Sequence, residues 1–138
     1  MSPKQSISLT EISKSDIKFL YNLLKERDPI TNISHINMPT YTQHTKFVNS
    51  KPYYKWYVIK IANKKIGSAY ITNLNEIAIH FIKSMLGKNL ERLVLKLIMD
   101  KNPRNRYLAN VNPSNKERIN FLKKSGFKLI QHTYEFRL

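Results

Sequence analysis

The chain has 138 residues, no cysteine, 41% hydrophobic residues and a formal charge of +15 at neutral pH. This length allows one domain with a sizeable core, and the lack of cysteine excludes disulfides, a thiolate nucleophile and cysteine-ligated zinc. No apolar run approaches the ~20 residues that span a bilayer, and residues 1–13 lack the apolar core of a secretory signal. We therefore expect one cytoplasmic domain over residues 1–138.

The basic residues are spread from Lys4 to Arg137, in no run denser than a pair. A solvated basic surface explains this distribution, and so does an anionic small-molecule ligand. Nucleic acid is a third alternative, for which the aromatic-rich stretch KPYYKWYVIK, at residues 51–60, is the best sign. We do not expect nucleic acid to be the main partner.

The first half begins with a short strand over residues 6–12, followed by an amphipathic helix with Ser13 or Ser15 as its cap. The pair Asp28-Pro29 ends this helix, because the residue before proline avoids helical angles. A polar loop then runs to Thr40, and a second, shorter helix is predicted from Tyr41 to Asn49. This half is therefore read as strand, helix, helix.

The second half begins with a hairpin of two β-rich runs and a third strand, EIAIHFI, at residues 76–82. A helix follows from about Asn89, with apolar residues at helical spacing. The stretch RYLANV predicts another strand, Ser114 and Gly126 bracket a last helix, and KLIQHTYEFRL alternates as a final strand. The predicted order is β-α-α-β-β-β-α-β-α-β.

The stretch NVNPSNKERINFLKKSGF contains a spaced set of residues: Asn115, Ile119, Phe121, Gly126 and Phe127. It resembles the closing signature of the Gcn5-related N-acetyltransferase (GNAT) superfamily, and the element order resembles that fold over nearly the whole chain. The resemblance implies an α/β (α+β) fold, with a mixed, mostly antiparallel central sheet and helices on both faces.

The turn LGKNLE, at residues 86–91, lies where GNAT proteins have a glycine-rich loop for the pyrophosphate of acetyl-CoA. Only Gly87 is a glycine here; Asn89 and Glu91 stand at the two signature glycines. Backbone N–H groups and a helix N-terminus suit phosphate binding. The resemblance implies that acetyl-CoA, as co-substrate, contacts Phe81, Ile82, Gly87, Lys88, Asn89, Leu90, Glu91 and Asn115.

The resemblance implies Glu76 as the catalytic base, through water, since family members carry a glutamate at this strand position. His80 is the second candidate, because the period of two places it on the same strand face. Leu122 stands where many family members have a tyrosine proton donor. Tyr107, Tyr134 or solvent are the substitutes that we consider.

The resemblance places the acceptor site in the stretch TNISHINMPTYTQH, where His35, Met38, Tyr41 and His44 are the substrate-binding candidates. The spacing of the two histidines matches no compact metal site, and no acidic residue lies near them. We expect no metal.

The resemblance thus implies an acetyl-CoA-dependent N-acyltransferase that modifies a primary amine of a small metabolite or amino-sugar. The alternatives are a non-catalytic acyl-CoA-binding or interaction module with the same fold and, third, a basic nucleic-acid-binding protein. We expect no membrane partner and allow for a homodimer.

Overall fold

The computed structural model describes residues 7–28 and 37–138. Its elements in chain order are β1 (Ile7–Glu11), α1 (Ile17–Glu26), α2 (Tyr41–Asn49), β2 (Lys55–Ile61), β3 (Lys64–Ile71), β4 (Ile77–Phe81), α3 (Glu91–Lys101) and α4 (Lys116–Lys124). Short 3₁₀ turns precede α1, at Lys14–Asp16, and follow β4, at Lys83–Met85.

The four strands form one antiparallel sheet in the order β1-β2-β3-β4. The hairpin between β2 and β3 contains a bulge after Ile59. Gly67 of β3 lies opposite Phe81 of β4, and a Cβ at Gly67 would collide with the carbonyl oxygen of His80. Glycine at this position therefore allows the close approach of β3 and β4.

The pleat divides the core into two clusters on opposite sheet faces. Tyr57, Ile59 and Ile79 pack on one face with α3, whose Val94 and Ile98 are fully buried. On the other face Trp56 packs against a cluster built by α1 and α2, including Leu20 and Val48. Helices thus cover both faces, as the resemblance implies.

The helix starts differ in part from expectation. Ser13 caps the 3₁₀ turn rather than α1, since both its backbone N–H and its hydroxyl donate to Asp16 Oδ2, at 2.9 and 3.3 Å. Helix α4 is capped by Asn115, whose Oδ1 accepts from the backbone N–H of Arg118 at 3.1 Å, so the prediction of Ser114 as the cap is wrong. Helix α2 has the predicted bounds.

Two predicted strands are absent from the described residues. RYLANV makes only an isolated parallel bridge, between Leu108 and Glu76, because the chain pairs with β4 at that one residue and then diverges from it. Residues 128–138 are exposed and form no strand, because no neighbouring strand pairs with them. The alternation in that segment is real, but a strand also needs a partner.

Candidate functional site

A cavity of about 540 Å³ opens on the face of β3 and β4 that carries α1 and α2. Its floor comes from alternate residues of the two strands, since Ser68, Tyr70, Ala78 and His80 share that face. Its walls are α1, α2, α4 and residues 109–112. The volume lies in the range of small-molecule sites.

One edge of β4 is open beside this cavity. The backbone N–H of Thr72 donates to Glu76 and that of Ile82 donates to Ile66, so even-numbered residues of this stretch pair with β3. In an antiparallel ladder the intervening residues then direct their N–H and C=O groups to the other edge. Ile79 and Phe81 therefore present backbone groups to the gap between β4 and the segment after Leu108.

Glu76 and His80 both line the cavity. The Glu76 carboxylate accepts hydrogen bonds from the Thr72 hydroxyl at 3.1 Å and from the Asn110 side-chain amide at 2.6 Å. These two neutral donors fix the carboxylate at the start of β4 and leave it lone pairs for a further donor. A positioned carboxylate of this kind can accept a proton from a bound amine or from a water.

The turn before α3 has an unusual backbone. Gly87 and Asn89 both have positive φ, +78° and +58°, and Leu90 returns to right-handed helical angles. Alternating handedness of this kind aims successive N–H groups at one point and forms an anion-binding concavity. Asparagine adopts such angles more readily than most residues, so it replaces glycine at this position.

The backbone N–H groups from Gly87 to Leu93 have no hydrogen-bond partner within residues 7–28 and 37–138. The first intrahelical bond of α3 runs from the N–H of Val94 to the carbonyl of Leu90. The turn and the first turn of α3 therefore offer a series of unused donors at the positive end of a helix dipole, which suits a phosphate group.

Glu91 points away from this turn, toward α4. Its Oε2 lies 3.1 Å from Nη1 of Arg118, and Nη2 of Arg118 donates to the carbonyl of Ile79 at 2.8 Å. The ion pair is within contact distance but is poorly aligned, since Oε2 accepts no hydrogen bond. Burial raises the pKa of the Glu91 carboxyl, and Arg118 opposes that shift. The charge of Glu91 is thus balanced within the protein.

The other residues expected at the cofactor differ in placement. The side chains of Phe81 and Leu90 are both buried in the core. The N–H of Ile82 bonds to β3 and does not face the open edge. Lys88 is exposed in the turn, and Asn115 lines the cavity while it caps α4.

The acceptor candidates separate into three groups. His35 lies outside the described residues. Met38 and Tyr41 are 42% and 46% exposed, and neither lines the cavity. His44 does line it: its side chain is buried, its Nε2 has no partner among the described residues, and its ring lies 5.4 Å from that of Tyr21. Burial lowers the pKa of His44, so the ring is neutral at pH 7.

The tyrosines considered as proton donors lie away from the cavity. The hydroxyl of Tyr107 donates to the Asn102 carbonyl at 2.6 Å and accepts from the Arg104 N–H at 2.9 Å, so it is used in the fold. Tyr134 is 89% exposed. Leu122 does line the cavity, at the position where the resemblance expects a tyrosine.

Sequence reasoning missed an aromatic wall of the cavity. The rings of Tyr53 and Tyr70 stack at 3.7 Å and 3°, and Trp56 meets Tyr53 edge to face at 4.8 Å. Burial raises the pKa of both tyrosines, so their hydroxyls stay protonated. Arg27, at the end of α1, lines the same wall. The clustering of aromatic residues in KPYYKWYVIK was the available signal, but it suggested base stacking instead.

Among residues 7–28 and 37–138, no three histidine or acidic side chains gather as metal ligands would. No helix in the described part of the chain combines the length and apolar character that crossing a bilayer requires.

No family model matches the sequence, and no curated protein matches it either. Solved structures do match over almost the whole chain. A spermidine N-acetyltransferase from Vibrio cholerae, in complex with CoA and spermine, has a TM-score of 0.81 at 17% identity, covering 93% of this chain and 84% of that one. A domain from Methanocaldococcus jannaschii has a TM-score of 0.78 at 19% identity, covering 94% and 92%. The chain therefore has the fold of the Gcn5-related N-acetyltransferases.

Proposed function

We propose that this protein is an acetyl-CoA-dependent N-acetyltransferase that acts on a primary amine of a small molecule. The observation that carries the proposal is the run of unused N–H donors from Gly87 to Leu93, next to the open edge of β4. A diphosphate fits the donors, and an extended amide-containing arm fits the strand edge. The open edge of β4 borders the cavity that holds Glu76.

The chain's own residues suit the steps of such a transfer. Glu76 takes the proton of the acceptor ammonium, directly or through one water, and so frees the nitrogen to attack the thioester carbonyl. The N–H groups at the β4 edge, from Ile79 or Phe81, face the place where the carbonyl oxygen gains charge. The new C–N bond replaces the C–S bond, the nitrogen releases its second proton to water, and the departing thiolate takes a proton from solvent.

His80 is the alternative base. It lies on the same face of β4 as Glu76, and both side chains line the cavity. Histidine is the side chain that most often serves as a general base. Glu76 is preferred because Thr72 and Asn110 hold its carboxylate in place.

The acceptor that the cavity favours carries an anionic group and a flat or apolar part. Among the described residues, Glu76 is the only carboxylate that lines the cavity, and Arg27 lines it as well. Arg118 also lines the cavity, but its charge is paired with Glu91. The two segments outside the described ranges contain no Asp or Glu. A polyamine with several positive charges would find only one carboxylate partner in this cavity, although the Vibrio cholerae protein is complexed with spermine.

The aromatic wall of Tyr53, Trp56 and Tyr70 provides the apolar surface for such an acceptor. His44 adds a buried Nε2 that can bond to it. Amino acids and nucleotide-linked amino-sugars have the required combination of amine, anionic group and flat or apolar part. These compounds fall within the small metabolites and amino-sugars that the resemblance implies as acceptors.

The test is an acetyl-transfer assay with acceptors that do or do not carry an anionic group. We expect phenylalanine to exceed phenethylamine, a nucleotide-linked glucosamine to exceed glucosamine, and spermidine to be the poorest. Arg27→Met should remove the preference and Arg27→Lys should keep part of it. A preference for spermidine would contradict the acceptor class but not the reaction.

The second candidate is a non-catalytic acyl-CoA-binding module, favoured by Leu122 at the position of the usual proton donor. Both candidates bind CoA, so turnover distinguishes them. Binding of acetyl-CoA with no acetyl transfer to any acceptor of the panel would favour the module. Loss of CoA binding altogether would contradict both candidates.

A further inference from the structure

The last eleven residues, 128–138, extend from the domain with every side chain exposed. Among the described residues, none of their backbone N–H or C=O groups has a partner. Their side-chain hydrogen bonds and their ion pair stay within the segment, as in the pair Arg137–Glu135 at 2.9 Å. We call residues 128–138 the C-terminal arm.

The arm has the pattern of a half-buried strand. With a period of two, one face carries the apolar Ile130, Tyr134, Phe136 and Leu138 together with His132, and the other carries the polar Gln131, Thr133, Glu135 and Arg137 together with Leu129. The four apolar side chains are between 62% and 111% exposed. Single exposed apolar residues are common on protein surfaces, but a contiguous row of large ones indicates an interaction surface. The arm requires a neighbouring strand and an apolar surface.

The same chain has a strand edge that lacks a partner. Leu108 uses both its N–H and its C=O on the β4 side, with Asn75 and Ile77, each at 2.8 Å. The backbone groups of Tyr107 and Ala109 therefore point to the opposite side. Neither they nor those of Val111 have a partner among the described residues. This open side of residues 107–111 is an unfilled acceptor edge.

We propose that two copies of this chain exchange their C-terminal arms, each arm adding as a strand to the acceptor edge of the other copy. Each copy supplies one arm and one edge, so the exchange closes as a symmetric dimer and leaves neither exposed. A chain's own arm does not occupy its own edge in the structure. A second copy is the occupant that matches both features in equal number.

The expected area is adequate for a stable dimer. Large apolar and aromatic side chains each bury on the order of 150 Å². The four from each of two arms together approach the 1,200–2,000 Å² typical of specific protein–protein interfaces, before the backbone is counted. Unpaired strand edges otherwise promote open-ended aggregation.

The exchange also affects the cavity. Ala109 and Val111 line it from the acceptor edge. The arm of the second copy would lie directly beside them and would complete that wall. The cavity of one chain is therefore incomplete without the second chain.

The first test measures molar mass in solution by light scattering after size exclusion, at tens of micromolar. We expect the full chain to be a dimer and the chain ending at Phe127 to be a monomer. Tyr134→Lys with Phe136→Lys should also be monomeric, whereas Gln131→Lys with Thr133→Lys, which adds the same charge to the polar face, should remain dimeric. A monomeric full chain, or a dimer that survives loss of the arm, would overturn the proposal.

The second test uses the absence of native cysteine. Ala109→Cys is combined in turn with one cysteine at each position from 130 to 136, and mild oxidation is followed on a non-reducing gel. Strand exchange predicts a covalent dimer at the positions that lie opposite Ala109, where the Cα atoms come within about 7 Å. A disulfide within one chain would show that the arm folds onto its own edge. Dimers without any disulfide at these positions would refute exchange at this edge.

Discussion

The ion pair between Arg118 and Glu91 links α4 to the start of α3, and Arg118→Met tests its contribution to stability. The substitution removes a guanidinium that lies 3.1 Å from Glu91 and bonds to the Ile79 carbonyl at 2.8 Å. It also leaves the Glu91 carboxylate, whose side chain is only 26% exposed, without its cation. We expect the unfolding free energy to fall.

The magnitude lies between two limits. Exposed pairs contribute about 0.2–1 kcal/mol, whereas breaking a fully buried pair costs about 3–5 kcal/mol. Both side chains here are about one-quarter exposed, at 24% and 26%, and the pair is poorly aligned. The charge-assisted bond to Ile79 adds to the cost. We therefore expect Arg118→Met to cost about 2–3 kcal/mol.

Urea denaturation measures the free energy of unfolding, and hence the coupling between the two side chains, in four proteins: wild type, Arg118→Met, Glu91→Gln and the double variant. Because Glu91→Gln removes the buried charge, the double variant should cost about 1–2 kcal/mol less than the sum of the single variants. Additive costs, within about 0.5 kcal/mol, would show that the two side chains do not interact and would refute this reasoning.

Four further predictions concern the site and the surface. Glu76→Gln should lower kcat about 10²-fold, as loss of a general base does, with CoA affinity unchanged; full kcat in Glu76→Gln together with loss of activity in His80→Ala would assign the base to His80. Gly87→Val should weaken CoA binding, because φ is +78° there and a β-branched residue resists it, while Lys88→Ala should weaken it less and in a salt-dependent way. The pKa of His44 is lower in the folded protein than in the unfolded chain, so on acidification the unfolded chain takes up the proton at a higher pH. Stability should therefore fall as pH drops below about 6.5, and His44→Phe should flatten that dependence in thermal unfolding. Random oligonucleotides should bind weakly and lose affinity steeply with salt; nanomolar, sequence-dependent binding at physiological salt would reverse that expectation.

The sheet and helices could be predicted because their signals are local. Strands β2, β3 and β4 alternate between two buried faces, and α3 carries its apolar residues at helical spacing, so periodicity was sufficient. The strand prediction for the C-terminal arm failed for a different reason. Its alternation resembles theirs, but strand formation depends on a partner that local sequence does not specify.

The cavity was predicted less completely than the fold. Glu76 and His80 could be placed together, since a period of two on one strand is enough. The stacking of Tyr53 on Tyr70 could not be predicted from local spacing, because it joins the segment before β2 to β3 through the register of the hairpin. Arg27 and Arg118 reach the cavity from separate helices. Such long-range contacts produce no recognisable spacing pattern in the sequence.

The central claim is that acetyl-CoA binds between the turn before α3 and the open edge of β4. The most direct measurement is a titration of the ¹⁵N-labelled full chain with CoA, followed by amide chemical shifts. We predict the largest changes at the amides from Gly87 to Leu93 and at Ile79 and Phe81, whose N–H groups are unused or face the gap. No change at millimolar CoA, or changes confined to another surface, would contradict the claim.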